Sequence, residues 1–199
     1  MADEKGIWTP ANIVTCVRIA FIPVFMVVGS LAWGEGGVVS PVLMGLAFVI
    51  YVTLSLTDKV DGYLARSRGE ITDFGKFLDP IADKLLVFSA LLLFLEHGRV
   101  SLWAVFIILL REFLVSALRM VASANGEVIA ADALGKAKTA VTMVSLCIYL
   151  FAFFAEGASL AFASFFLLVA QALMIAAVVL TVVSGVQYFW NARHVVFGR

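Results

Sequence analysis

Six stretches of this chain carry apolar side chains at almost every position, and short polar segments separate them. They run near Ile13 to Trp33, Pro41 to Ala65, Phe74 to Leu95, Leu102 to Ala124, Leu134 to Phe154 and Leu160 to Trp190. Each is about as long as the roughly 20 helical residues, rising ~1.5 Å apiece, that cross a hydrocarbon core. The breaks are GEGG at 34–37, SRGE at 67–70, EHGR at 96–99, NGEVIAAD at 125–132 and EG at 156–157. The pattern predicts an all-α integral membrane bundle of six transmembrane helices. No long linker or low-complexity tract interrupts it, so residues 1–199 read as one domain with a short N-terminal segment, 1–12, ahead of the first span.

Composition agrees with the pattern. Of 199 residues 63% are hydrophobic and 14% charged, and the mean hydropathy is +1.06, far outside the range of soluble domains. Formal net charge is zero, which gives no reason to expect nucleic acid as a partner. Cys16 and Cys147 lie in apolar stretches and read as small buried hydrophobes without a disulfide framework. The first span is too long, and too early interrupted by Arg18, for a cleaved signal peptide. Lys5, Arg66, Arg68, Lys76, Lys136, Lys138, Arg193 and Arg199 fall on or beside one surface of a six-span bundle, whereas Arg99 falls on the other. By the positive-inside rule both termini are cytoplasmic. Trp33 and Trp103 fit an aromatic belt at one surface, and Trp8, Tyr188 and Trp190 at the other.

Against this apolar background four aspartates stand out, Asp58, Asp61, Asp79 and Asp83. An ionised carboxylate at membrane depth is costly unless it pairs, meets water or binds a cation, so the group is a candidate functional site. Asp58 and Asp61 are three apart and Asp79 and Asp83 four apart, which puts each pair on one face of a helix. Two such faces opposed could hold two divalent ions. No histidine or cysteine lies near enough to suggest zinc, so the hard cations Mg²⁺ or Mn²⁺ fit, held by carboxylates and substrate phosphates. Two ions roughly 3.5–4 Å apart would clamp an in-line phosphoryl displacement. Gly62, Ala65 and Gly75 would let a bulky ligand approach the backbone, although small residues also simply pack membrane helices.

Basic residues mark a second subsite. At ~1.5 Å per residue, Asp58 lies about 12 Å, Asp83 about 15 Å and Arg111 about 18 Å from the cytoplasmic ends of their helices. Arg119 is shallower, and Lys136 and Lys138 open the fifth span beside Gly135. These acidic and basic residues are therefore expected to share a cavity open to the cytoplasm. Arginine forks match phosphate, which suggests a small phosphorylated substrate; the plainer alternative is that Arg111 neutralises Glu112 or an aspartate. Asn12, Thr15 and Arg18 lie near the entry of the first span, where Arg18 is expected to snorkel to headgroups. His97 and His194 read as surface residues, and Pro23 and Pro80 as helix kinks.

The string Asp58-x2-Asp61-Gly62-x2-Ala65-Arg66-x8-Gly75-x3-Asp79-x3-Asp83 resembles the signature of the CDP-alcohol phosphotransferases at every defined position. TPANIVTCVRIAFIP (9–23), FGKFLDPIADKLL (74–86), LREFLVSALRM (110–120) and LGKAKTAVTMV (134–144) are similar to segments of bacterial phosphatidylglycerophosphate synthases. The resemblance implies an enzyme of phospholipid biosynthesis in the bacterial cytoplasmic membrane, a homodimer with its active site facing the cytoplasm. It would transfer the phosphatidyl group of CDP-diacylglycerol to glycerol 3-phosphate, giving phosphatidylglycerophosphate and CMP. By the same implication Asp58, Asp61, Asp79 and Asp83 hold two Mg²⁺ or Mn²⁺ ions, and Asp83 is the general base. Asp58, Asp61, Gly62, Ala65, Arg66, Gly75 and Asp79 form the CDP site, and Arg111, Arg119 and Lys136 take the acceptor phosphate. Competing readings keep the chemistry with inositol phosphate, serine or phosphatidylglycerol as acceptor, or make the aspartates the path of a divalent-cation transporter. Basic residues near such a path would repel the ion.

Overall fold

The computed structural model describes residues 9–68, 72–124 and 133–193, and side chains throughout these except at 58–68, 73, 76 and 124. Six α-helices account for nearly all of it: α1 (Pro10–Leu31), α2 (Pro41–Arg68), α3 (Asp73–Glu96), α4 (Leu102–Ala124), α5 (Ala133–Gly157) and α6 (Ala163–Asn191). Six helices stand where six apolar stretches predict them, and no strand occurs among the described residues. Three of them, α1, α5 and α6, are long and apolar enough to cross a membrane by length and composition. In α2 the apolar part is the shorter run Pro41–Thr57, while α3 and α4 carry the charged residues considered below.

Helix boundaries follow local chemistry. Thr9 caps α1: its backbone is extended and its hydroxyl accepts from the Asn12 N–H, 3.3 Å away, with Pro10 in the first turn. This cap satisfies a donor that the helix itself leaves unpaired, and it starts α1 three residues before the apolar run does. α1 and α3 both continue helically through Pro23 and Pro80. The α1–α2 connection is a tight reversal in which Trp33 and Val39 form an antiparallel bridge and the Gly34 N–H donates to Val38 O at 2.8 Å. Gly36 and Gly37 take φ of 74° and 79° there, a left-handed conformation that glycine adopts without steric cost.

The chain divides into two compact units. The first comprises α1, α2 and α3 as far as Leu93, with the segment Leu150–Ser164. Its interior holds Phe25, Met44, Ala47, Tyr51, Leu91 and Phe153, all fully buried. The Phe25 and Tyr51 rings, 5.3 Å apart, join α1 to α2. Leu93 packs directly on the Gly29 backbone, where a Cβ would lie 2.5 Å from Leu93 Cδ2. The second unit comprises Phe94–Tyr149 and Phe165 onward. Ile108, Leu146, Ala170 and Ala177 are buried in it, and Ser145 Oγ donates to Ala170 O at 2.8 Å, tying α5 to α6. Lipid supplies little apolar driving force between helices, so close approach at small residues and such hydrogen bonds hold them together. Outward positions are apolar as well, with Val42 77% and Phe165 63% exposed. In water that surface would aggregate; against acyl chains it is solvated.

Candidate active site

In the first unit, polar side chains of α1 meet the N-terminal half of α3 in three successive contacts. Nearest the N-terminal ends, Asn12 Nδ2 donates to Thr72 Oγ1 at 2.8 Å. Thr72 Oγ1 also accepts from the Gly75 N–H at 3.0 Å, as an N-cap of α3 does. Gly75 lies so close to Asn12 that a Cβ would sit 2.6 Å from Asn12 Oδ1. One turn on, Thr15 Oγ1 lies 2.9 Å from Asp79 Oδ1 and 3.1 Å from Ala11 O. Its single proton favours the charged acceptor. A further turn on, Arg18 Nη1 donates to Asp83 Oδ1 at 3.1 Å. Partner numbers rise together along both helices, so α1 and α3 run parallel.

Arg18 corrects an expectation. Its side chain is only 1% exposed while that of Asp83 is 53% exposed, so the guanidinium turns inward to the carboxylate instead of reaching for headgroups. A buried cation needs a counter-charge, and snorkelling is the solution only where none is at hand. The Asn12, Thr15 and Arg18 triplet is the part of the site that reasoning from sequence passed over. The signal was present as three polar residues spaced three apart in an apolar helix.

Asp79 and Asp83, four apart on α3, are both exposed, and each has one carboxylate oxygen tethered by a buried donor from α1. Two hard oxygen ligands with their outer hydrogen bonds in place suit Mg²⁺ or Mn²⁺. Asp58, Asp61, Gly62, Ala65 and Arg66 lie on the last turns of α2; their side chains are outside the described set.

The basic residues belong to the second unit. Arg111 Nη1 and Lys138 Nζ both contact Glu112 Oε1, at 2.9 and 2.5 Å. The pairing of Arg111 with its neighbour Glu112 is therefore real, and Lys138 joins it. Glycines make room for Arg111: a Cβ on Gly135 of α5 would lie 3.1 Å from Nη2, and one on Gly185 of α6 3.2 Å from Cγ. Lys138 is buried and Lys136 exposed, so of the two it is Lys138 that reaches the Arg111–Glu112 pair. Arg119 has another neighbour, donating from Nε to the Tyr188 hydroxyl at 3.2 Å with its guanidinium 5.7 Å from the ring centroid. His97 lies in the turn after α3, Nε2 3.9 Å from Glu96 Oε2, and His194 lies outside the described residues.

Residues 8–183 match the CDP-alcohol phosphatidyltransferase family. The chain belongs to that family. Among its relatives, the CDP-diacylglycerol--glycerol-3-phosphate 3-phosphatidyltransferase of Bacillus subtilis (strain 168) is 41% identical over 192 residues, covering 91% of this chain and 95% of the relative. A probable phosphatidylglycerophosphate synthase of Mycobacterium tuberculosis (strain CDC 1551 / Oshkosh) is 37% identical, covering 96% and 85%. A Rickettsia bellii protein carrying the same name as the Bacillus relative is 35% identical, covering 89% and 92%.

Proposed function

We propose that this chain transfers the phosphatidyl group of CDP-diacylglycerol to glycerol 3-phosphate, giving phosphatidylglycerophosphate and CMP. The observation that carries the reading is similarity across nearly the whole chain to relatives bearing that enzyme name, with the aspartate signature complete along α2 and α3. The enzyme is a membrane protein, and we assign it six spans in one domain, cytoplasmic termini in a bacterial inner membrane, and a homodimeric state.

Asp58, Asp61, Asp79 and Asp83 would hold two divalent ions, Mg²⁺ or Mn²⁺. When bound, these supply positive charge that offsets the diphosphate and eases departure of CMP. Gly62 and Ala65 would leave room for the cytidine diphosphate against the backbone, Gly75 would serve the same site by bringing the start of α3 against Asn12, and Arg66 would offer a fork of donors. Arg111, Arg119 and Lys136 take the acceptor phosphate, with Lys138 and Glu112 fixing the orientation of Arg111. Asp83 accepts the proton of the attacking glycerol hydroxyl as the new oxygen–phosphorus bond forms and the diphosphate bond breaks. Two acyl chains can remain in lipid throughout, since only the headgroup must reach the aspartates.

The test is direct. Purified protein with radiolabelled CDP-diacylglycerol and a divalent cation is offered glycerol 3-phosphate, serine, inositol phosphate or phosphatidylglycerol, and the lipid product is identified. We expect CMP release and a phosphatidylglycerophosphate product with the first acceptor alone. Turnover with another acceptor in its place overturns the substrate assignment.

A further inference from the structure

Arg18 has no role in the assignments above, yet among the described residues of the first unit it is the most deeply buried charged side chain. It is 1% exposed, it sits two turns into an apolar helix, and its Nη1 is 3.1 Å from Asp83 Oδ1. The geometry points to Arg18 as a positioning residue: from beneath, it fixes the rotamer of Asp83, so that the carboxylate meets metal and acceptor hydroxyl in one orientation. The inference rests on the reading of Asp83 as the reactive carboxylate.

Three observations support it. First, the two ends of the contact differ: the Asp83 side chain is 53% exposed and that of Arg18 1%. The guanidinium, by contrast, is enclosed by the fold and cannot follow the carboxylate outward. Second, the contact repeats one turn earlier, where the buried Thr15 hydroxyl holds Asp79 Oδ1 at 2.9 Å. Asp79 and Asp83 are thus addressed by α1 in the same way, each through a carboxylate oxygen. Third, a cation beside a metal ligand is electrostatically unfavourable to the metal, because two positive charges compete for one carboxylate. Any gain in metal affinity that Arg18 gives must therefore come through orientation and not through charge. Partners of this outer kind typically change metal affinity or activity by about 10–100-fold when removed, and small misplacements of a reacting group cost similar factors.

The experiment uses the full chain in detergent, with Arg18→Gln, Arg18→Lys, Asp83→Asn and the Arg18→Gln/Asp83→Asn double variant. Mn²⁺ binding to the substrate-free protein is followed by electron paramagnetic resonance, and kcat and KM are measured for both substrates. We expect Arg18→Gln to lower kcat about 10–100-fold and to weaken Mn²⁺ about tenfold, with both KM values within about twofold of the parent. Arg18→Lys, which keeps the charge and loses the planar fork, recovers part of kcat. In the Asp83→Asn background Arg18→Gln changes Mn²⁺ affinity no further, because the arginine acts through that carboxylate. Parental kcat and Mn²⁺ affinity in Arg18→Gln, or tighter Mn²⁺ binding there, overturns the proposal; so does an equal effect in both backgrounds, which marks a merely structural contact. If Arg18→Gln does not fold, Arg18→Lys decides alone: a lowered kcat at unchanged KM and melting temperature supports positioning, and parental kcat refutes it. Full turnover by Asp83→Asn would instead remove the assignment of Asp83 itself, a separate failure.

Discussion

Two cationic side chains changed meaning once their neighbours were visible. Arg18 looks from sequence like a headgroup arginine because its distance from the helix start is a local quantity, whereas its partner lies 65 positions away. Lys136 and Lys138 differ by two residues, about 200° around a helix at ~3.6 residues per turn; spacing alone does not say which one faces inward. The α5 backbone turns Lys138 to Glu112 and leaves Lys136 exposed. Arg119 has a neighbour that the sequence did not indicate: Tyr188 holds the guanidinium by a hydrogen bond and its ring face. Arg119→Ala is expected to raise the KM for glycerol 3-phosphate about tenfold or more, the worth of one charged hydrogen bond, and to leave that for CDP-diacylglycerol nearly unchanged. Steady-state kinetics with each substrate varied in turn checks this; equal changes in both would take Arg119 out of the acceptor site.

Elements were easier to read than residues. Periodicity is not needed to find a helix that is apolar on all sides, and the six stretches correspond one to one with α1–α6. Ends were harder, because they depend on single caps such as Thr9 and Thr72, each of which supplies one oxygen to an N–H of the first turn. The aspartate spacing also gave the α3 face correctly, but no pattern within α1 or α3 alone reveals that the two helices touch. Their approach is set at Gly75, where the Asn12 amide occupies the space of a side chain. Gly75→Ala is expected to push α1 from the start of α3 and to destabilise the protein by about 1–3 kcal/mol, as overpacking does. Thermal unfolding in detergent measures it. An unchanged melting temperature would mean that Asn12 yields freely and that this contact does not set the helix spacing.

For the molecule as a whole, three helices apolar enough to span and a lipid-compatible exterior establish a membrane protein, while orientation rests on the distribution of lysine and arginine. Single cysteines at Ser101 and Ala133, both exposed, in a background lacking Cys16 and Cys147, read it out. A membrane-impermeant maleimide should label Ser101→Cys in intact cells and Ala133→Cys only after permeabilisation; the reverse pattern would invert the topology. The parallel pairing of α1 with α3 has one more consequence, for biosynthesis. A ribosome adding roughly 5–20 residues per second delivers Asp83 about 3–13 s after Arg18, given their 65-position separation. For those seconds the newborn first span carries a guanidinium whose contact with Asp83 cannot yet form. The α1–α3 seam can close only when the third hydrophobic segment emerges, so the pairing that orders these side chains is a late event in insertion.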